Sequence, residues 1–317
     1  MNAFFRNALI YRLSDRWSVT TDTLNEQLAR LAFTPGTAVQ SQSFGWVPAI
    51  EGGELAHAVG GQLLLTLRVE KKLLPASVIT QFARQRAQEA EERQGYKPGR
   101  KQLKEIKEAV TEELLPKAFS IFRDTRVWID PAHGWVVIDT TSTAKAEEVI
   151  AALSKSIDPF PLGMLQLAHP PAQTMTTWLA EDEAPAGFTI DQDTELRATG
   201  DSKAAVRYLR QSIEADTVRR HIDEGKQCTR LALTWADRIS FVLTDPMTLK
   251  RIAPLDVVRE GDGDGSRADD DARQRFDSDF TLMTGELAQL LAALVEALGG
   301  EAAPAAGSSA GPARKAA

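Results

Sequence analysis

The chain has very little cysteine and no long apolar run. Its 317 residues include one cysteine, Cys228, so no disulfide can form within the chain. Because Cys228 lies in an apolar, strand-like stretch, we expect a buried structural thiol and a reducing compartment. No apolar run approaches the roughly 20 residues that a membrane span needs, and the apolar stretch between Arg6 and Arg12 is too short for a signal sequence. We therefore expect a cytoplasmic protein without a membrane partner.

The sequence motifs of the common enzyme classes are also missing. There is no P-loop, no glycine-rich dinucleotide motif after a strand, no HExxH and no GxSxG. None of the four histidines has a partner at metal-ligand spacing; they are His57, His133, His169 and His221. The sequence therefore shows none of these enzyme signatures, and each histidine is expected to have a surface or loop role.

An acidic segment, residues 262–271, is the one place where a metal site needs to be considered. Its opening resembles an EF-hand loop, but Arg267 stands where that loop needs glycine and Arg273 where it needs a bidentate glutamate. The carboxylates of Asp269, Asp270 and Asp271 could ligate Mg²⁺, although consecutive acids in a loop are usually only solvated. A metal-dependent phosphoesterase or nuclease using these carboxylates therefore stays open as an alternative function.

What the chain does have is an uneven distribution of charge. The net charge is −7, yet residues 68–126 carry 14 lysines and arginines against nine carboxylates, whereas residues 254–301 carry four against 12. An acidic protein can still hold a polyanion if its fold presents the clustered cations together. The segregation therefore points to nucleic acid as a candidate ligand.

The basic region is predicted to be a projecting helical hairpin. Helices are expected at about 76–94 and 99–114, separated by a break at 95–99 that contains Gly95, Pro98 and Gly99. The second helix carries cations at helical spacing and at its start, namely Lys97, Arg100, Lys101, Lys104 and Lys107. Clustered cations neutralise phosphates without reading the bases.

The same helix has a more ordinary interpretation. Lys101 and Lys104 each lie four residues before a glutamate, Glu105 and Glu108, and such pairs are common on solvated helices. A protein-interaction scaffold with an incidental basic helix is therefore a second alternative.

The rest of the chain alternates strands and helices in an α+β pattern. Strands are expected at 8–13, 62–69, 126–129, 135–139, 229–235, 239–244 and 249–252, and helices after Thr21 or Asp22 and at 144–156, 213–224 and 277–298. Residues 34–62 are expected to be mostly loop around Trp46, and 174–200 are ambiguous. The predicted domains are an N-terminal α+β part at 1–75, the helical arm at 76–125, the α+β remainder at 126–301 and a disordered tail at 302–317.

Several segments carry a family resemblance. They are Phe44–Pro48, Glu70–Pro75, Leu114–Ser120, Trp128–Asp130, His221–Lys226 and, most specifically, Arg275–Leu287. Together they resemble the RdgC family of recombination-associated proteins of proteobacteria, in one order over residues 1 to about 301.

The resemblance implies a horseshoe-shaped subunit of antiparallel sheets with a helical arm, two of which pair into a closed ring. The homodimeric ring would encircle double-stranded DNA without sequence specificity, bind single-stranded DNA more weakly, and restrain RecA in recombination and replication-fork repair. It further implies a nucleoid-associated protein of the cytoplasm without cofactor or catalysis.

The resemblance also assigns roles to individual residues. Phe119 and Gln211 are expected at the dimer interface, although from the residues alone Phe119 could equally be a core phenylalanine. The expected DNA contacts combine the basic stripe with family-matched positions: Arg68, Lys72, Lys97, Arg100, Lys101, Lys104, Lys117, Arg210 and Lys226. This chain departs from the family pattern after Ile121, at the 95–99 break and in its Ala-rich tail.

Overall fold

The computed structural model describes residues 3–13, 17–200, 204–211, 215–259 and 270–302. The fold is α+β, and its strands pair antiparallel. The chain separates into two compact units that alternate along the sequence. Unit 1 comprises Met1–Asp15, Ala132–Thr143 and Leu162–Ala317, and unit 2 comprises Arg16–Pro131 and Ala144–Pro161.

The strands, in chain order, are β1 (Asn7–Leu13), β2 (Gln42–Val47), β3 (His57–Val59), β4 (Gln62–Lys72), β5 (Ser120–Asp130), β6 (Trp135–Ile138), β7 (Leu162–Met164), β8 (Phe188–Ala198), β9 (Ala205–Tyr208), β10 (Lys226–Trp235), β11 (Ile239–Thr244) and β12 (Thr248–Pro254). The helices are α1 (Thr21–Ala29), α2 (Ala76–Gln94), α3 (Arg100–Leu114), α4 (Thr143–Ser156), α5 (Pro171–Glu181), α6 (Ala215–Asp223), α7 (Asp256–Arg259) and α8 (Asp270–Ala297).

Unit 2 is built on the long antiparallel pair β4–β5. Ten successive residue pairs join the two strands, from Leu63 opposite Ile129 to Lys72 opposite Ser120. β2 and β3 share the other edge of β4. Because side chains alternate between faces along a strand, residues directly opposite each other share a face, and the register fixes which charged side chains meet.

A close backbone approach holds β2 in place. The amide of Phe33 donates to the carbonyl oxygen of Trp46 over 2.9 Å. In return, the amide of Trp46 donates to the carbonyl oxygen of Leu31 over 2.8 Å. A Cβ on Gly45 would lie 2.5 Å from the Phe33 Cα, so only glycine fits there. The buried indole of Trp46 donates to Ser156 Oγ of α4 over 2.8 Å, and this bond joins β2 to α4.

Unit 1 contains a sheet in the order β6-β1-β12-β11-β10-β8-β9, with β7 also paired to β1. α5 packs against β10 and α6. The contacts that tie α8 to this unit include a hydrogen bond from the Phe5 amide to Met283 Sδ over 3.2 Å and an ion pair between Arg238 and Glu286. The buried side chains of α8 recur at helical spacing and are Phe276, Phe280, Met283, Thr284, Glu286, Leu287, Leu290, Leu291, Leu294 and Val295.

The structure corrects several expectations. Within 34–62, β2 and β3 replace the expected loop, and 174–200 resolves into α5 and β8. The N-cap of α1 is Thr20, whose hydroxyl accepts from the amide of Thr23, and not Thr21 or Asp22. α8 is also longer than expected. Ala272–Ala297 is long and apolar enough to cross a membrane by length and composition, although half of its most apolar stretch is buried within the protein. The expected tail and most of the acidic segment lie outside the described residues.

Candidate nucleic-acid interface

The helical hairpin of α2 and α3 forms where the sequence predicts it. Gly95 ends α2 with φ +78°, and its amide donates to the Glu91 carbonyl oxygen over 2.8 Å. The two helices are joined by reciprocal amide contacts between Gln94 and Gln102, the shorter 2.9 Å long. Each helix buries a single residue, Ala83 in α2 and Val110 in α3. Most of the hairpin surface is therefore available to solvent or to a ligand.

The predicted cations are exposed on this hairpin. Lys97, Arg100, Lys101 and Lys107 are exposed, and within the described part of the chain none of them makes an ion pair. Lys104 lies 3.6 Å from Glu108 with 79% of its side chain exposed. The sequence allows two i,i+4 pairs, Lys101–Glu105 and Lys104–Glu108. Among the described ion pairs only Lys104–Glu108 is present, at the long distance of 3.6 Å. An exposed pair of this kind contributes about 0–1 kcal/mol, so these charges remain available to phosphate.

Lys117 and Phe119 follow the hairpin. Lys117 lies in a 3₁₀ turn after α3, 3.6 Å from Glu113, with 69% of its side chain exposed. Phe119 is 83% exposed, the largest value among the exposed large apolar residues described. A core role for Phe119, the alternative left open by the sequence, is therefore wrong.

Arg68 lies in a different setting. Its guanidinium donates to both carboxylate oxygens of Asp124, over 2.8 and 2.7 Å, across the β4–β5 pair. These hydrogen bonds raise the pKa of Arg68 above its ordinary value. The guanidinium also lies about 6 Å from the rings of Phe33 and Phe122. Its charge is largely compensated, so Arg68 offers phosphate less than the hairpin cations do.

Lys72 lines a groove of about 460 Å³ on unit 2, which we call the basic groove. Its walls come from the ends of β2, β4 and β5, the segment after β4, and the start of α4. Its charged members are Lys71, Lys72, Arg123, Lys145 and Glu148. Of these five charged residues, the sequence predicted a role in DNA binding only for Lys72. The cross-strand register that gathers them could have been found only by aligning the two strands.

Three predicted residues lie in unit 1, two of them beside each other. Arg210 and Gln211 are exposed after β9; Arg210 has φ +53°, and its amide donates to Asp193 Oδ1 over 3.1 Å. The side chain of Lys226 is only 11% exposed and forms an ion pair with Glu224. This contact lowers the pKa of Glu224. The charge of Lys226 is therefore engaged within the protein.

Lys226 belongs to a connected polar cluster. Its ammonium also lies 3.3 Å from His221 Nδ1, and His221 Nε2 lies 3.0 Å from the hydroxyl of Tyr208. The cluster joins β9, α6 and the start of β10, which places Lys226 as a structural link behind the segment that carries Arg210 and Gln211.

The predicted alternative metal site falls largely outside the described residues, and the side chains of Asp270 and Asp271 are not described either. Among the described residues, no group of three or more histidine, cysteine, aspartate or glutamate side chains is arranged to hold a metal ion. Residues 262–269 of the acidic segment lie outside that part of the chain.

Taken together, these features define an α+β protein that presents clustered, exposed cations on a solvent-exposed helical hairpin, several of them without an ion pair among the described residues. Residues 3–301 match the model of a family described as "Putative exonuclease, RdgC". The chain therefore belongs to the RdgC family, as its sequence motifs indicated.

Relatives with curated names agree over nearly the whole chain. The chain is 61% identical over 298 residues to the recombination-associated protein RdgC of Bordetella parapertussis, which covers 94% of this chain and 99% of the relative. The proteins of the same name from Cupriavidus pinatubonensis and Burkholderia cenocepacia are 57% and 54% identical; each covers 94% of this chain, and the alignments span 99% and 96% of the relatives. The family is thus associated with recombination.

Proposed function

We propose that the protein binds double-stranded DNA without sequence preference, as a dimeric ring that encircles the duplex and restrains RecA-dependent strand exchange. The observation that carries the DNA-binding part is the set of exposed cations at Lys97, Arg100, Lys101 and Lys104, which have weak ion pairs or none among the described residues. The names of the relatives supply the recombination context.

Binding of this kind is electrostatic. Lysine and arginine on one exposed helix neutralise phosphates and release counterions, and they carry no base-reading information. Two copies of the four hairpin cations in a dimer would contact about eight phosphates. Affinity should then fall by roughly 10³–10⁵ between about 50 and 200 mM salt.

The ring is supported by the exposure of Phe119 and Gln211. A large aromatic side chain that is 83% exposed in the single chain is the kind of residue that anchors interfaces. A two-fold symmetric ring of two subunits needs two self-complementary contacts, one at each junction of the horseshoe ends. Phe119, with Gln211, is the candidate for one of these junctions.

The experiment that tests DNA binding removes the hairpin cations together. In a variant carrying Lys97→Ala, Arg100→Ala, Lys101→Ala and Lys104→Ala, we expect duplex affinity to fall at least about tenfold and the salt dependence to weaken by about one unit of slope per lost contact. The control variant removes four other exposed cations, Arg6, Arg30, Lys155 and Arg273. It has the same net charge and should keep affinity within about threefold, since only long-range attraction is lost.

Equal affinities for the hairpin variant and the wild-type protein would place the contact surface elsewhere. Circular dichroism of both variants establishes that they are folded. The competing nuclease function is tested on supercoiled plasmid with Mg²⁺: a mobility shift of intact plasmid supports a non-enzymatic binding protein, and nicking or end resection that disappears with chelator supports the nuclease.

A further inference from the structure

The basic groove combines positive charge with an apolar wall. Four cations and one carboxylate line it, together with Val69, Leu73, Leu74 and Ile121. Its volume of about 460 Å³ lies within the range of small-molecule sites. It is large enough for one nucleotide and far too small for a duplex.

The cations of the groove are placed by strand register. Lys71 lies opposite Ile121 and Val69 lies opposite Arg123, so Lys71 and Arg123 are diagonal neighbours on one face of the β4–β5 pair. Diagonal neighbours on a sheet are about 7–8 Å apart, a span across which two long side chains can reach one phosphate. Both are exposed, and neither makes an ion pair among the described residues.

The apolar wall gives the site a second requirement. Leu73 is 53% exposed at the rim, and Ile121 lies on the same strand face as Arg123. An inorganic anion would leave this surface in water. A ligand with a phosphate and a flat, largely apolar ring would cover both parts of the groove.

We propose that the basic groove binds a single nucleotide unit, its phosphate held by Lys71 and Arg123 and its base lying against Leu73 and Ile121. The proposal rests on the proposed function, because DNA binding makes a nucleotide the relevant ligand. The unit can come from an unpaired DNA strand or from a free nucleotide. Glu148, the one carboxylate in the groove, faces this anion and opposes its binding.

The test measures binding calorimetrically to deoxyadenosine monophosphate, a short 5′-phosphorylated oligothymidylate, a short blunt duplex and oligoglutamate. Three full-length variants are compared with the wild-type protein: Lys71→Ala with Arg123→Ala, Glu148→Gln, and the matched control Arg6→Ala with Arg30→Ala, two exposed cations outside the groove and the hairpin. The groove double variant should lose at least about tenfold in affinity for the two nucleotide ligands. Glu148→Gln should gain about two- to fivefold in that affinity, and the control should change it by less than about twofold.

The ligands separate the possible outcomes. Groove-dependent binding of the oligonucleotide alone identifies an unpaired DNA strand as the source, and equal binding of the mononucleotide identifies a free nucleotide. Wild-type affinity in the groove double variant overturns the proposal, and so does equally tight, groove-dependent binding of oligoglutamate, which would make this an acidic-peptide site. If the protein binds the duplex but neither nucleotide ligand, only the groove proposal fails. If it binds the nucleotide ligands through the groove but does not bind the duplex, only the proposed duplex-binding function fails.

Discussion

The amide of Leu73 donates a hydrogen bond to the carbonyl oxygen of Phe119 over 2.7 Å, while the ring of Phe119 stays 83% exposed. Leu73 directly follows β4 and Phe119 directly precedes β5, so this bond extends the strand pairing by one step. The backbone of Phe119 is thereby fixed to the sheet. A side chain held on a fixed backbone loses less conformational entropy on docking, which favours its use as an anchor.

Replacing Phe119 by serine should open one junction of the proposed ring. Loss of an aromatic interface anchor costs about 2 kcal/mol or more. We expect the other junction to keep the dimer together, and release from closed circular DNA to accelerate towards the rate for linear DNA. Light scattering gives the mass, and dissociation rates from circular and linear DNA give the release.

The matched control for that variant is Tyr96→Ser, which removes another exposed aromatic side chain from the same region. This variant should still dissociate more slowly from circular DNA than from linear DNA. A monomeric Phe119→Ser protein would show that Phe119 holds the whole dimer, and unchanged release from circles would place the junction elsewhere.

The Arg68–Asp124 pair predicts opposite effects for its two partners. Asp124→Ala removes the carboxylate that compensates Arg68 and should strengthen duplex binding, whereas Arg68→Ala leaves Asp124 uncompensated and should weaken it. The duplex affinity of the double variant should be within about a factor of two of the wild-type affinity. A double-mutant cycle on unfolding should give a coupling of about 0.2–1 kcal/mol, as for other exposed pairs. If neither single change alters DNA affinity at low salt, this face of the sheet lies away from DNA.

Glu70 predicts a loss of stability in acid. Its side chain is buried and accepts hydrogen bonds from the Ser120 hydroxyl, from the Gly36 amide over 2.7 Å and from Ser43 Oγ over 3.1 Å. These bonds hold the pKa of Glu70 below its ordinary value of 4.5. Its stabilising contribution is therefore complete above about pH 4.5 and is lost as the pH falls through the lower, folded-state pKa.

Thermal unfolding of the wild-type protein and of Glu70→Gln checks this sign. The difference between their midpoints should be constant near neutral pH and should narrow as the solution becomes acidic, because a protonated carboxyl resembles the amide. Glu148→Gln, at an exposed glutamate, is the control and should stay close to wild type throughout. If the difference between the two unfolding midpoints widened in acid, the lowered pKa of Glu70 would be contradicted.

Cys228 should be unreactive in the folded protein. It is fully buried, and burial raises its pKa to about 12. Because the thiolate is the reactive form, a thiol reagent at about pH 8 should label the native protein far more slowly than the denatured one. Native labelling at the denatured rate would show that the β10 region opens readily.

Much of the fold was predictable where local signals decide it. Pro75, Gly95 and Gly99 mark the ends of the hairpin helices in the sequence, and α2 and α3 match the predicted spans to within a residue. β2 was missed because residues 34–62 are rich in glycine, proline, serine and glutamine, a composition typical of loops, and this masked the strand-forming Phe44, Trp46 and Val47. Its conformation depends on the approach of Phe33 and on the contact of Trp46 with Ser156, which are tertiary.

Part of the candidate nucleic-acid interface was also predictable from local signals. The exposure of the hairpin cations follows from helical spacing, because few apolar residues interrupt that surface. The pairing of Arg68 with Asp124 and the gathering of Lys71 and Arg123 depend on the register of two strands that the helical hairpin separates in sequence, which composition does not reveal.

The alternation of the two units along the chain sets the order in which the protein can be completed during synthesis. All of unit 2 precedes residue 162, whereas β1 of unit 1 pairs with β12, Asn7 lying opposite Lys250. Since domains tend to fold as units while the chain emerges from its N-terminus, unit 2 can be finished while β1 still has one edge without its β12 partner. An apolar strand held with an open edge is a template for pairing with other chains. The nascent protein must therefore keep Ala8, Leu9 and Ile10 from associating with neighbours until the ribosome has delivered β12.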